Sequence, residues 1–400
     1  MVATFFYFHT EMKRTLFTTI AVLLCCGHLM AQQEMAKVSY FGHLYLETSV
    51  NGHPARLAFD TGAPYTCIDS TYLADSKLQY KNIGRARMGG SGNGQETVPI
   101  IINELTYIVA DTEYTSKVSP VIQLKSILGD QADGLLGIDN MGGKVIAINY
   151  VDELMGFWKQ MGDTAGYTSI PIRYENKRIY VPLSITIRDG NTVEGEALID
   201  LGSGGSVTLT SAVASQHGVK EVSPQMHYSY FTGGIGGAAS GSDFRAKSAS
   251  VGGFALNDIT MDYSDNTEGA LSNMEYIAIV GNDIWERFNM IIDLNGNRLY
   301  LKPNVKFSEP FKSPVHGFYY IDRSHTLGCW IVNCLYKDSN AENAGLRNGD
   351  RISKINGRDV GDITLEEQKH LLDNLDSVSL TVQRGSTTVE IAFSFDNPKI

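Results

Sequence analysis

Short apolar runs that end at an aspartate or a glycine recur along the chain, and their length favours β-strands over helices. Two of these runs, Ala58-Phe59 and Leu198-Ile199, lead directly into Asp60 and Asp200. An aspartate placed directly after a buried strand is costly unless something compensates its charge. Two such aspartates at matching places in a repeat compensate each other if they share a proton.

The similarity between the two halves extends well beyond the aspartates. Each half continues with a glycine-rich stretch, Met88–Gly94 in the first and Gly233–Gly237 in the second. Farther along, each half has two apolar residues followed by a glycine, at Leu135–Gly137 and at Ile279–Gly281. Landmarks that recur in the same order at near-equal offsets indicate an internal duplication of one all-β unit.

In these landmarks the chain resembles the aspartic peptidases of the pepsin and retropepsin type. The Asp-Thr-Gly-Ala stretch at Asp60–Ala63 matches the family's catalytic triplet and the small residue after it. The two apolar-apolar-Gly elements match the segment that crosses under each catalytic loop. The resemblance covers roughly residues 36 to 305. It implies a mostly β fold of two barrel-like lobes, at 36–165 and 166–305.

The resemblance implies that Asp60 and Asp200 are the catalytic pair. Two carboxylates about 3 Å apart cannot both ionise, so one acts as an acid and the other as a base toward a water held between them. The chain has no phosphate-binding loop and no His-Glu-x-x-His pattern, so neither a cofactor nor a metal is expected. The residues expected to support the two catalytic loops are Thr61, Gly62, Ala63, Leu201, Gly202 and Ser203.

The glycine-rich stretches suit mobile hairpins that close over an extended peptide and hold it by main-chain hydrogen bonds. The expected substrate is therefore a peptide or a protein. Because both lobes lie on one chain, we expect a monomer to hold the complete pair of aspartates. The flap candidates are Gly89, Gly90 and Ser91 in the first half and Gly234, Ile235 and Gly236 in the second.

The second triplet departs from the family at Leu201, where the family has a threonine whose hydroxyl bonds to the opposite loop. The clasp between the loops is therefore expected to be half formed, from Thr61 alone. Ser203 could bond the second carboxylate, whereas Ala63 cannot bond the first, so the pair is unsymmetrical and the position of its proton stays open. Two functions follow: an aspartic endopeptidase, or a catalytically inactive peptide-binding protein with a relic protease fold.

A second module follows a proline-marked linker at 306–314, which is expected to be extended and little packed. Ala341–Gly357 contains an Ala-Gly-Leu helix start, a Gly-Asp turn and an Ile-Asn-Gly hairpin, and in this order they resemble a PDZ domain. The resemblance spans roughly residues 315–396 and implies an α+β fold. The groove of such a domain binds a peptide C-terminus as an added strand.

The carboxylate loop of this module is expected near 324–328, with Leu327, Gly328 and Trp330 as groove candidates. Of the family's glycine-leucine-glycine-apolar signature the loop keeps only Leu327-Gly328. Two interpretations follow from this departure. The module holds the substrate or a partner by a peptide C-terminus, or it is a structural or docking element.

Residues 1–31 have the pattern of a signal peptide, with a positive start at Met12–Arg14, an apolar stretch at Leu16–Leu24 and cleavage near Ala31. We therefore expect an exported protein, periplasmic or extracellular, without a membrane span after cleavage. Cys25 and Cys26 raise the question of a lipid anchor, but the residues before them are not small, so cleavage is favoured. An uncleaved anchor is the alternative. The net charge of −11 argues against nucleic acid as a partner.

Beyond the signal segment the chain has three cysteines, an odd number without the spacing of a disulfide framework. Cys67 lies in the strand that follows the first triplet and is expected to be a small buried hydrophobe. Cys329 and Cys334 lie on one predicted strand at an odd offset. They should therefore face opposite ways and remain unpaired.

Overall fold

The computed structural model describes residues 35–109, 112–373, 375–396 and 400. The predicted signal segment, residues 1–31, lies outside the described residues. The described chain is mostly β, as the sequence predicts, and its helices are short. No helix in this part of the chain is both long and apolar enough to cross a membrane.

The first repeat forms a lobe whose main sheet has the order β6-β7-β10-β5-β11-β4-β3-β8-β9, with β2 paired to β3. Its strands are β1 Ala36–Lys37, β2 Ser39–Phe41, β3 His43–Val50, β4 His53–Phe59, β5 Cys67–Asp69, β6 Ile83–Gly89, β7 Gln95–Ile101, β8 Leu105–Val109, β9 Thr112–Ser116, β10 Ser119–Ile122, β11 Gly134–Leu136, β12 Val145–Asn149 and β13 Leu154–Trp158. Its helical segments are Ser70–Asp75, Lys125–Leu128 and Ile138–Asn140.

The second repeat forms a lobe with a matching strand order, β15-β16-β17-β22-β18-β21-β20-β19. Its strands are β14 Thr168–Pro171, β15 Arg173–Glu175, β16 Arg178–Arg188, β17 Asn191–Ile199, β18 Val207–Leu209, β19 Gln225–Phe231, β20 Ala239–Val251, β21 Phe254–Ser264, β22 Ala278–Val280, β23 Phe288–Asp293 and β24 Arg298–Pro303. Its helical segments are Ser211–Gln216, Val219–Glu221 and Asn282–Trp285.

A third sheet joins the two lobes, in the order β1-β13-β12-β23-β24-β14. Its central strands β12 and β23, one from each repeat, run antiparallel with Val145 opposite Asp293 and Asn149 opposite Asn289. Side chains from both lobes bury together in one large apolar cluster. This shared sheet and core keep the two repeats in a defined relative position, as a site built from both lobes requires.

The C-terminal module has its own apolar core, which includes the buried residues Phe318, Trp330, Val332 and Leu380. Its strands are β25 Phe318–Arg323, β26 Cys329–Tyr336, β27 Arg351–Ile355, β28 Arg358–Asp359, β29 Ser377–Arg384 and β30 Thr387–Ser394. Its helical segments are Ser324–Leu327, Asn340–Asn343, Val360–Asp362 and Leu365–Gln368.

The C-terminal module is joined to both lobes of the protease-like part. Its strand β26 pairs antiparallel with β19 of the second lobe, with Tyr336 opposite Tyr228, so one sheet runs through both. On the first lobe, the Asp130 N–H donates to the Asp322 carbonyl at 2.9 Å. The Asp130 carboxylate forms an ion pair with Arg323 at 2.8 Å, and both side chains are largely buried. The module therefore spans the two lobes.

The expectation that residues 306–314 form an extended and little-packed linker is wrong. Phe311 is buried, and the Arg287 guanidinium lies 3.7 Å above the centre of its ring. Phe307 packs edge-on against Phe288 with ring centres 5.3 Å apart. The linker prolines favour an extended backbone, but the two aromatic rings between them bury apolar surface on the second lobe, and this burial decides the packing.

The expectation that the cysteines are buried and unpaired is confirmed, but the expectation that Cys329 and Cys334 face opposite ways is wrong. A register shift in β26 places Cys329 opposite Arg323 and Cys334 opposite Tyr319, four residues apart on β25, so both lie on one face of the strand. Cys67, Cys329 and Cys334 are buried and free. Burial raises the pKa of the Cys67 thiol, so this thiol stays protonated and packs as a small apolar side chain.

Candidate active site

The two sequence-predicted aspartates follow equivalent strands of the two lobes. Asp60 comes after β4, which pairs parallel with β11, and its N–H donates to the Leu136 carbonyl at 3.1 Å. Asp200 comes after β17, which pairs parallel with β22, and its N–H donates to the Val280 carbonyl at 3.0 Å. The apolar-apolar-Gly elements predicted from the sequence are thus the strands that support the two aspartate loops.

The two loops meet so closely that only glycine fits at their contact. A Cβ atom added at Gly62 would lie 2.7 Å from the carboxyl atoms of Asp200. A Cβ atom added at Gly202 would overlap the carboxyl group of Asp60 in the same way. Each glycine therefore packs against the carboxyl group of the opposite loop, and the structure brings the two predicted aspartates together.

The two carboxyl groups interact with each other but have different surroundings. Asp60 Oδ1 accepts the N–H groups of Gly62 at 2.7 Å and Ala63 at 2.9 Å. Asp200 Oδ1 accepts the N–H of Gly202 at 2.9 Å. Donors to a carboxylate favour its ionised form, so this arrangement favours the charge on Asp60.

The pKa directions agree with that asymmetry. Burial raises the pKa of the Asp60 carboxyl, and the N–H groups of Ala63 and Gly62 oppose the rise. Burial raises the pKa of the Asp200 carboxyl well above its ordinary value, and the negative charge of Asp60 raises it further. When the pair holds one proton, Asp200 is therefore the better place for it.

The hydroxyl of Ser203 makes no hydrogen bond to Asp200 among the described residues, although the sequence allowed one. Its backbone N–H instead donates to the Asp200 carbonyl at 3.3 Å. The asymmetry of the pair therefore comes from backbone donors and from the mutual charge, and the difference between Ala63 and Ser203 does not produce it.

The clasp between the loops is half formed, as expected from Leu201. The Thr61 hydroxyl donates to the Ile199 carbonyl at 2.7 Å and accepts the Leu201 N–H at 3.0 Å. Thr61 and Leu201 are both fully buried. The Leu201 side chain joins the apolar cluster shared by the lobes and makes no hydrogen bond in return.

Two residues that the sequence analysis did not single out hold the second loop from the other side. His43 Nε2 lies 3.0 Å from the Gly202 carbonyl, and burial lowers the pKa of this imidazole. A neutral ring must donate through Nε2 to bond a carbonyl. Asn282 donates to the Leu201 carbonyl at 2.8 Å. No repeated sequence pattern marks His43. Asn282 directly follows Gly281 of the second apolar-apolar-Gly element, and this position could have marked it as a candidate.

The two predicted flaps lie against each other. Gly89, Gly90 and Ser91 occupy the tip between β6 and β7, and Gly234, Ile235 and Gly236 occupy the tip between β19 and β20. The Gly92 N–H donates to the Ile235 carbonyl at 3.0 Å. A Cβ atom at Gly92 would lie 2.5 Å from the backbone of Gly236, so the glycines of both tips permit this contact.

A third segment of the second lobe, residues 266–270, also holds the first flap. The Asn266 side chain donates to the Ser91 carbonyl at 2.9 Å. Asn93 Oδ1 accepts the N–H groups of Thr267 at 2.8 Å and Glu268 at 2.9 Å. These bonds, together with the bond from the Ala270 N–H to the Gly90 carbonyl at 2.9 Å, keep the hairpin closed across the lobes. Neither asparagine was predicted from the sequence.

Apolar clusters border the pair of Asp60 and Asp200, the dyad, in both lobes. Ile235 of the second flap packs, beside Ala63, against a buried cluster of the first lobe: Tyr45, Ala58, Cys67, Ile122, Leu124, Ala132 and Leu135. The matching cluster of the second lobe consists of Tyr180, Leu198, Leu271, Tyr276 and Ile279. Ala58 and Leu198 each stand two positions before an aspartate of the dyad, so the two clusters are related by the internal repeat.

The groove candidates of the C-terminal module need correction. Trp330 is only 1% exposed and stacks on Tyr320 with ring centres 4.2 Å apart, so it belongs to the core of the module and lines no open groove. Leu327 and Gly328 end a helical turn that lies against the first lobe, where the Thr326 N–H donates to Asp130 at 2.7 Å. The turn is a docking contact.

The structure indicates a different edge for strand addition in this module. Strand β25 pairs with β26 and with no other strand of the described chain. The helix Leu365–Gln368 lies beside β25, because the Gln368 side chain donates to the Asp322 carboxylate at 2.7 Å. At the same end of β25, the Asp130 N–H already donates to the Asp322 carbonyl, so this carbonyl is not available to an added strand. The free edge is therefore limited to the first part of β25.

A second pair of acidic side chains lies where the module meets the second lobe. Asp243 on β20 stands directly opposite Asp262 on β21. Tyr336 of the module donates to Asp243 at 2.7 Å, and Tyr228 donates to Asp262 at 2.9 Å. Burial raises the pKa of Asp262 to about 6, and burial together with the charge of Asp262 raises the pKa of Asp243 well above its ordinary value.

Comparison with known protein families agrees with both resemblances. Residues 46–140 match the family model described as aspartyl protease, a stretch that contains Asp60–Ala63 and Leu135–Gly137. Residues 331–384 match the family model described as PDZ domain. No curated protein matches the chain. The two matched stretches lie in the first lobe and in the C-terminal module.

Proposed function

We propose that this chain, which contains an aspartyl protease domain and a PDZ domain, is an aspartic endopeptidase that hydrolyses peptide bonds with a water activated between Asp60 and Asp200. The observation that carries the proposal is the meeting of the two aspartate loops. Each loop packs its glycine against the carboxyl group of the other, so the two carboxyl groups lie close together and interact. Such a pair provides one acid and one base in a single site.

The asymmetry of the pair assigns the roles. Asp60, whose charge two backbone N–H groups stabilise, is the base that takes a proton from the water. Asp200 carries the proton and donates it in a hydrogen bond to the carbonyl oxygen of the scissile bond. The water oxygen then attacks the carbonyl carbon, and the proton held on Asp60 passes to the leaving nitrogen as the C–N bond breaks.

The substrate is an extended peptide held beneath the two flaps. The flaps bond to each other, so they must open before a peptide enters. The apolar clusters of the two lobes support a preference for apolar side chains on both sides of the scissile bond. The PDZ domain, which is joined to both lobes, holds the substrate or a partner protein close to this cleft.

The proposal includes an exported, periplasmic or extracellular protein that works as a monomer. Export rests on the signal-like pattern of residues 1–31. A monomer suffices because one chain supplies both aspartates and both flaps.

A second candidate is a non-catalytic protein that binds peptides in the same cleft. Leu201 supports it, because only Thr61 contributes a hydroxyl to the clasp between the loops. A loosely held dyad loses activity steeply with small displacements, and binding tolerates such displacements better.

Digestion of a peptide library by the protein without its signal segment, over a series of pH values, separates the two candidates. We expect cleavage between apolar residues, and loss of activity as the pH rises through the pKa of Asp200. Asp60→Asn and Asp200→Asn should each abolish cleavage with the fold intact, because each removes the acid–base pair. Asp189→Asn, an exposed matched control, should leave the rate unchanged. Binding of peptides without cleavage by the wild type would support the second candidate.

A further inference from the structure

Asn282 is the first residue after the apolar-apolar-Gly element of the second lobe and is fully buried. Its side-chain Nδ2 donates to the Leu201 carbonyl at 2.8 Å and to the Gly42 carbonyl at 2.9 Å. Its Oδ1 accepts the hydroxyl of Tyr150 at 2.8 Å. Two carbonyls and one hydroxyl fix the orientation of the amide, because only the nitrogen can donate to both carbonyls.

These contacts tie the second aspartate loop to the first lobe. Gly42 lies in the turn between β2 and β3, and Tyr150 directly follows β12 of the sheet that joins the lobes. The next residue, His43 at the start of β3, bonds the Gly202 carbonyl. The loop around Asp200 is therefore held at two successive carbonyls, Leu201 and Gly202, by groups anchored in the first lobe.

The equivalent position in the first lobe is different. Ile138 follows Gly137 as Asn282 follows Gly281, and the two residues make the same backbone bond. The Ile138 N–H donates to Ala63 at 3.0 Å, and the Asn282 N–H donates to Ser203 at 2.8 Å. The Ile138 side chain is apolar and buried, so it cannot bond the carbonyl of its own loop.

The two lobes thus place their hydrogen-bonding side chain at different positions, one in the aspartate loop and the other after the glycine. The first lobe has a hydroxyl in the loop, on Thr61, and an apolar side chain after the glycine. The second lobe has an apolar side chain in the loop, on Leu201, and an amide after the glycine. We propose that Asn282 is a positioning residue for the dyad, which holds the Asp200 loop against the first lobe in place of the clasp that Leu201 cannot make.

This inference rests on the proposed peptidase activity and gives it a mechanical basis. Asn282 is covered on all sides and has no surface for a substrate. Its loss would leave the Leu201 and Gly42 carbonyls without donors, and the loop could shift relative to Asp60. A displacement near 1 Å costs on the order of 100-fold in rate, whereas peptide binding by flaps and apolar clusters is little changed.

The test is a double-mutant cycle between Asn282 and Leu201. Asn282→Ala should lower kcat by about 10- to 100-fold with KM within about twofold, and should move the limbs of the pH–rate profile because the two carboxyl groups change their separation. In a Leu201→Thr background the same substitution should cost at least about fivefold less, since the restored hydroxyl holds the loop from the other side.

Two further variants accompany the cycle. Asn282→Asp keeps the shape of the side chain but supplies at most one of the two donors, so it should fold and show an intermediate loss of kcat. Asn191→Ala is the matched control: this asparagine is half-buried, and it donates to the His217 carbonyl at 3.0 Å, at the opposite end of β17 from Asp200. It should lower stability and leave the pH–rate profile unchanged.

Each outcome has a clear meaning. Cleavage by the wild type with unchanged kcat and pH profile in Asn282→Asp and Asn282→Ala would overturn the positioning role. An equal loss in the Leu201 and Leu201→Thr backgrounds would show that Asn282 does not replace the clasp. No cleavage of any peptide by the wild type would overturn the proposed function, and with it this inference.

Discussion

The half-formed clasp gives the sharpest prediction, through the substitution Thr61→Val. Valine keeps the shape of threonine and removes one hydroxyl. That hydroxyl donates to Ile199 and accepts from Leu201, so the change deletes both hydrogen bonds by which Thr61 joins the two lobes. Both backbone groups then lie in a fully buried region without the partner that the hydroxyl provided.

The magnitude follows from these two bonds. A buried polar group left without its partner costs about 1–3 kcal/mol, and two backbone groups are left here. We therefore expect Thr61→Val to lower the free energy of unfolding by about 2–6 kcal/mol. A domain is stabilised by about 5–15 kcal/mol in total, so the effect is large. The Asp60 and Asp200 loops also lose a direct tie, and kcat should fall by about tenfold or more.

Urea unfolding followed by circular dichroism measures the stability, and peptide hydrolysis under folding conditions measures kcat. Thr210→Val is the matched control, because Thr210 is equally buried and accepts the Val213 N–H at 3.4 Å outside the aspartate loops. The control should lose about 0.5–2 kcal/mol and keep its kcat. A loss below about 0.5 kcal/mol in Thr61→Val, or equal kcat in both variants, would refute the reasoning.

Two further predictions concern the buried pair of Asp243 and Asp262 and the contacts of the first flap. The folded protein keeps a proton on Asp262 up to a pKa of about 6, whereas its ordinary pKa is 3.8, so stability should fall as the pH rises between these values. In urea unfolding at pH 4 and pH 7, Asp262→Asn should reduce the difference in the free energy of unfolding between the two pH values by up to about 2–3 kcal/mol. An unchanged difference would contradict the prediction. Asn93→Ala removes the acceptor for the N–H groups of Thr267 and Glu268, so amide hydrogen exchange at residues 89–94 should become faster. Unchanged protection would show that Asn93 does not hold the first flap closed.

Much of the site could be predicted from the sequence, because the duplication places the same local pattern twice. An apolar strand, an aspartate and a glycine specify a tight loop by local chemistry alone, and the apolar-apolar-Gly elements mark the strands that support it. The half clasp at Leu201 could also be predicted, since a leucine side chain has no hydrogen-bonding group.

Other features could not be predicted because they depend on partners far away in the chain. The proton favours Asp200 because the N–H groups of Gly62 and Ala63 stabilise the charge of Asp60, and this charge in turn raises the pKa of Asp200. This difference arises from loop geometry. Asn93 and Asn282 look like ordinary asparagines until folding brings residues from the other lobe to their side chains. Trp330 resembled a groove residue, but stacking on Tyr320 buries it.

The sequence by itself therefore determined the two repeats, the two aspartates, their glycines and the presence of a PDZ module. Backbone conformation and strand periodicity are local properties, and a short stretch of residues specifies them. The tertiary structure alone decided how the module joins both lobes, how the linker packs through Phe311, and which amide supports the second loop. These features follow from contacts between residues about 20 to 240 positions apart, which packing selects and no short pattern encodes.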